Sequence, residues 1–176
     1  MRTSRVSLLV LALVVLLGAC SAESAGTQTT TTSTTSVQPG GSDVPPQLVD
    51  HVVGTVAVGD RTLTLAIADD PTLRAQGLMH VQDLGSLDGM LFFWRHHPGS
   101  EGFWMKDTVI PLDIVWFHED GTYAGRASME PCPPSVSDCP IYAPGDHVDY
   151  RYAIETEPGD LDWVDETTVI VYADQP

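Results

Sequence analysis

The residues best equipped for chemistry lie close together in "EGFWMKDTVIPLDIVWF", residues 101–117. There Trp104, Lys106, Asp107 and Asp113 bring an aromatic face, an ammonium and two carboxylates into one short run. If the run is extended, alternation sends Phe103 and Met105 to one face and Trp104 and Lys106 to the other, so ring and ammonium share a surface. Beyond Pro111, the residues Leu112, Ile114 and Trp116 form one apolar face, and Asp113 shares the other with Val115 and Phe117. A carboxylate in such surroundings must lie near a rim or be paired, because burying it alone is costly. Lys106 and Arg74 are the basic side chains available to it. Two readings follow. In one, Asp113 and Lys106 are a structural pair, with Asp107 and Thr108 bonded to the backbone of the intervening turn. In the other, Trp104, Lys106 and Asp113 line a rim pocket for a small polar ligand such as a sugar.

Other chemistry finds less support. The chain has no Gly-x-Ser-x-Gly elbow, His-Glu-x-x-His pair, phosphate-binding Walker loop or dinucleotide fingerprint. His96 and His97 precede Pro98-Gly99 on a turn, where adjacent side chains splay apart, and the other histidines are scattered, so no metal site and no cofactor are expected. Cys132 and Cys139 form an isolated couple in "PCPPSVSDCP" and are expected to be a disulfide worth roughly 2–3 kcal/mol.

These residues need a scaffold, and the patterning describes one. "HVVGTVAVGDRTLTLAIADD" holds two alternating β-branched runs about Gly59-Asp60, a hairpin. In "DDPTLRAQG", Asp70 caps, Pro71 opens and Gly77 ends a helix of about two turns. Asp88-Gly89 turns into the buried strand "MLFFW", the 101–117 run supplies further strand, and Asp120-Gly121 centres a hairpin with arms near 112–118 and 122–129. After the Pro-rich loop, "HVDYRYAIET" and "TTVIVYA" read as strands. The expected fold is mainly β, a compact barrel-like or sandwich domain of about eight short strands and one short helix, with an α+β arrangement as the alternative.

The N-terminal segment belongs to export rather than to the fold. "MRTSR" and the apolar "VSLLVLALVVLL" form a signal peptide over residues 1–19, and "LGAC" is similar to a bacterial lipobox that makes Cys20 the lipidated first residue. Residues 20–47 are then a Thr/Ser-rich tether with little to bury, spanning on the order of 30 Å, and residues 48–176 a single β-rich domain. The whole chain has 8 basic and 24 acidic residues; without Arg2 and Arg5 six basic residues remain, a formal charge of −18. Such a chain repels nucleic acid, which is therefore not an expected partner, and anionic headgroups, so its membrane contact is expected through the lipid alone.

The motifs "RAQGLM", "DGMLFFW" and "FWMKDTVIPLDIVWF", in that order, resemble the domain-of-unknown-function family 192, and the likeness runs on through "EDGTYAG", "PCPPSVSDCPIY" and "VDYRYAIETEPG". The resemblance implies a compact, mainly β domain, often exported or membrane-attached, without an agreed activity. Its pattern falls on Arg74, Gly77, Leu78, Met79, Gly89, Met90, Leu91, Phe92, Trp104, Met105, Lys106, Thr108, Pro111, Leu112, Asp113 and Glu155. Two positions depart from it: Asp107 replaces the usual Asn, and Val81 stands where Arg often follows Gly-Leu-Met. The candidate ligand-binding residues are thus Arg74, Trp104, Lys106, Asp107, Asp113 and Glu155. The leading expectation is an exported, envelope-anchored lipoprotein whose β domain binds a small polar ligand or an envelope protein. The alternatives are an enzyme using Asp113 or Glu155 with Lys106, and a purely structural or assembly role.

Overall fold

A computed structural model describes residues 43–173. The signal segment, Cys20 and the first part of the tether lie outside the described residues. Residues 43–48 already pack on the domain: the Asp43 carbonyl accepts from Ser86 N at 3.0 Å, and Leu48, in a 3-10 turn over Pro46–Leu48, is fully buried.

Strands β1 (Val52–Val58) and β2 (Arg61–Ala68) form the expected hairpin around Gly59-Asp60. Helix α1 (Pro71–Gln76) follows, with the Asp70 carboxylate accepting from Thr72 N and Leu73 N at 2.7 and 3.0 Å, and Gly77 ending it at φ 50°. Strand β3 (Gly89–Phe93) is buried throughout. The expected strand after residue 101 is cut to β4 (Phe103–Trp104), because Asp107 takes a left-handed φ of 58° and turns the chain. Strands β5 (Leu112–Phe117) and β6 (Tyr123–Met129) make the second hairpin. Strands β7 (Ile141–Tyr142), β8 (Tyr152–Thr156) and β9 (Ile170–Val171) complete a mainly β fold.

Seven strands form one sheet in the order β6-β5-β8-β3-β2-β1-β9; β2 and β3 are its parallel pair, and β4 and β7 form a second, two-stranded sheet. The large sheet curls into a half-barrel. Thr122 bridges to Val169, and Ile170 N donates to Gly121 O at 2.9 Å, joining the β5–β6 turn to the strand at the opposite edge.

Alternation along the central strands feeds two cores. Met90, Phe92, Leu112, Ile114, Trp116 and Ala153 face one, covered by α1, the 78–87 segment and β4–β7. Leu91, Phe93, Val115, Phe117 and Ile154 face the other, inside the curl, with Leu161 and Val164. Burial on both faces explains why β3 and β5 read as nearly continuous apolar runs.

Candidate functional site

The first core is open at one end, where a cleft of about 590 Å³ lies between α1, the end of β3, the 98–102 loop and β4. Its walls are largely aromatic. Phe92 and Phe103 meet edge to face at 5.0 Å, as do Trp94 and Tyr150 at 5.0 Å, and Trp94 also meets Phe103 at 6.0 Å. The Tyr150 hydroxyl donates to the Glu101 carbonyl, and burial raises its pKa.

Two of the lining residues are ionisable in an informative way. Glu155 pairs with Met90 on one side and Ile114 on the other, so it shares their face and looks into the cleft. It is 5% exposed and makes no hydrogen bond or ion pair among the described residues. Desolvation pushes its carboxyl up to about 8, so the proton is retained at neutral pH. Arg74, at the last turn of α1, donates Nη1 to the Phe93 carbonyl at 3.0 Å and holds its guanidinium 5.0 Å from the Trp94 ring centre. Gly89 allows β3 to approach β8 here: a Cβ at that position would lie 2.0 Å from the Glu155 carbonyl oxygen.

Trp104, 52% exposed, forms the outer wall, and Lys106 reaches over its ring with Nζ 5.5 Å from the centroid. Ring and ammonium thus share a surface. Asp113 does not join them. Its carboxylate accepts from Ser128 Oγ at 2.6 Å and Gly159 N at 2.8 Å, on the face of Val115 and Phe117, and is 4% exposed. The expected Asp113–Lys106 or Asp113–Arg74 pair is therefore corrected. Register explains it: Asp113 lies opposite Ser128 on β6, while its neighbour Ile114 lies opposite Glu155, so the two carboxyls point to opposite sides of the sheet. The same separation removes a rim pocket built on Asp113 and acid–base chemistry by Asp113 with Lys106. Asp107 contributes backbone: its carbonyl accepts from His80 N at 2.9 Å in the left-handed turn. Asn and Asp both tolerate that conformation, so the exchange at this position leaves the turn intact.

Trp94 and Tyr150 were not foreseen as wall residues. Trp94 continues the Met90, Phe92 parity of β3, a signal present in the sequence. Tyr150 has the parity of Ile154 yet enters the opposite core, because it precedes β8 and is held by a bridge to Gly99. A second groove, about 710 Å³, runs along β1, β2 and β9, where Asp69 and Arg95 bind each other at 2.5 Å. No group of three or more His, Cys, Asp or Glu suited to a metal occurs among the described residues.

The model of the DUF192 family, described as "Uncharacterized ACR, COG1430", matches residues 54–169. The chain belongs to this family. The DUF192 domain thus spans most of both cores and every wall of the cleft. No curated protein matches the chain. Among solved structures, a protein of unknown function from Novosphingobium aromaticivorans DSM 12444 is similar over 73% of this chain and 91% of its own, with 23% identity and a TM-score of 0.59. A protein from Sinorhizobium meliloti 1021, described as a candidate transcription regulator, covers 70% of this chain and 95% of its own, at 24% identity and a TM-score of 0.58. At these identities the likeness speaks for the DUF192 fold alone.

Proposed function

We propose that this DUF192 protein is an exported lipoprotein, held on the cell envelope through Cys20, whose domain binds a small polar ligand in the cleft above Glu155. One observation carries the reading: a buried carboxyl without a hydrogen-bond partner among the described residues faces an open, aromatic-walled cleft that a guanidinium also lines. A buried polar group left unmatched is expensive, and a ligand that supplies its partner recovers that cost. Aromatic walls with a few convergent polar groups are the usual make-up of small-molecule sites, which measure about 300–1,000 Å³. Lys106 and Trp104 form the entrance, and Asp113 and Asp107 keep structural roles.

The test is a thermal-shift screen of the mature chain against sugars, cell-wall fragments and amino acids, repeated on Trp104→Ala and Arg74→Ala. A binding compound should raise the melting temperature of the wild type and lose most of that effect in both variants. A compound that shifts all three proteins equally would locate binding outside the cleft and sink the proposal.

A further inference from the structure

The described residues hold six basic side chains, three of them in ion pairs and three over tryptophan rings without one. Arg95, Arg126 and Arg151 are ion-paired with Asp69, Asp162 and Glu119. Arg61 lies over Trp163 with 4.5 Å to the ring centre. Arg74 and Lys106 are the other two without an ion pair, and they belong to the cleft. They lie over Trp94 and Trp104, the two tryptophans of the cleft, and neither forms an ion pair among the described residues. Asp69 and Asp70 act on Arg74 from the start of α1, but no carboxylate closes an ion pair with either cation among the described residues.

Arg74 spends one donor on the Phe93 carbonyl, and a guanidinium has five. The rest suit a planar, two-oxygen acceptor, which a carboxylate provides. Glu155, on the floor, is a hydrogen-bond donor to such an anion as long as its carboxyl is neutral. An amine would meet two cations already seated on the aromatic faces. The aromatic side chains that line the cleft give the ligand's ring an apolar wall.

Taking the cleft as a ligand site, as proposed above, we infer that its ligand is a hydroxylated ring bearing a carboxylate, a sugar acid, with Arg74 as counter-ion and Glu155 as hydrogen-bond donor.

The experiment titrates the full mature chain in detergent with glucuronate, glucose and glucosamine, following the fluorescence of the cleft tryptophans. Glucuronate should bind about tenfold or more tightly than glucose, the worth of one charge-assisted contact, and glucosamine should bind least. Arg74→Met keeps a stem over Trp94 without the charge and should bind glucuronate and glucose alike; Arg74→Lys should retain part of the preference. Wild-type affinity for glucuronate should fall above pH 8, as ionised Glu155 repels the ligand, and Glu155→Gln should not show that fall. Arg74, Tyr150 and Glu101 are the other titratable groups lining the cleft, and Glu101 is exposed. Melting curves establish that each variant is folded. Glucose or glucosamine binding as tightly as glucuronate, with sensitivity to Trp104→Ala, would overturn the sugar-acid class and leave the cleft as a site for another ligand. Failure of all three compounds to bind the folded wild type also overturns the class. Glucuronate binding that is unmoved by both Arg74→Met and Trp104→Ala would overturn the cleft reading itself.

Discussion

Glu155 and Asp113 are buried carboxyls on neighbouring strands, and the side of the sheet each faces decides its chemistry. Asp113 has both oxygens engaged, by Ser128 Oγ and Gly159 N. Its replacement by Ala leaves those donors unmatched, with an expected loss of about 1.5–3 kcal/mol, and Asn should cost less because it keeps one acceptor. Urea denaturation measures both; an unchanged midpoint for Asp113→Ala would refute the structural role. Glu155 behaves differently because nothing matches it. Its folded carboxyl titrates near 8, against 4.5 in the open chain, so the folded state keeps a proton that unfolding releases. The stability it contributes is fully present below the unfolded value and is lost as pH rises through about 8, with a slope of about 1.4 kcal/mol per pH unit at most. Glu155→Gln abolishes that slope, so the variant should melt above the wild type at pH 8 and approach it at pH 5. Comparing the two proteins also cancels the opposite trend from His51, whose burial lowers its pKa and makes acid destabilising. Parallel melting curves across that range would show that Glu155 is ionised in the fold.

Among the elements, those governed by local chemistry were legible in the sequence. Gly59-Asp60 and Asp120-Gly121 announced hairpins, Asp70-Pro71 and Gly77 bounded α1, and the parity of Leu112, Ile114 and Trp116 assigned one core face. The cleft was less legible, since it depends on which strands become neighbours. Placing Glu155 opposite both Met90 and Ile114 requires β8 to insert between β3 and β5, a long-range pairing that no local pattern encodes. The same limit misassigned Asp113 to Lys106. The Cys132–Cys139 bridge was legible, and its position gives it work at the cleft wall. Cys132 N donates to Thr108 O at 3.0 Å, and two residues after Cys139 β7 begins, pairing Ile141 with Trp104. Gly102 makes room for that contact, because a Cβ there would stand 2.2 Å from Ile141. A Cys132→Ser, Cys139→Ser double variant should lose about 2–3 kcal/mol and should also free β7. Hydrogen exchange at Phe103 and Tyr142 would then quicken more than at β3. Uniform exchange changes across the domain would mean that the bridge acts on the unfolded chain alone.

For the whole molecule, charge bears on the proposed anchoring. The described residues carry acidic groups in excess over six basic ones, three of which are neutralised in ion pairs, so the domain presents negative potential to any anionic lipid surface. No helix among the described residues is long and apolar enough to cross a membrane. On the lipoprotein reading, attachment comes from acyl chains at Cys20, working against a repulsion that the tether weakens by distance, since screening confines it to about 8 Å at physiological ionic strength. The two forces respond differently to salt. Acyl insertion is hydrophobic and unscreened, whereas a charge-mediated attachment would dissolve in a high-salt wash. Wild-type protein should therefore stay in the membrane fraction through such a wash, while Cys20→Ser should appear in the soluble fraction or the medium at any salt concentration. Cell fractionation with immunodetection reads both. A Cys20→Ser chain that remained on the membrane at low salt and came off at high salt would point to a charged partner in the envelope. One that resisted salt as well would assign the hold to the apolar run of residues 6–17 instead of to a lipid.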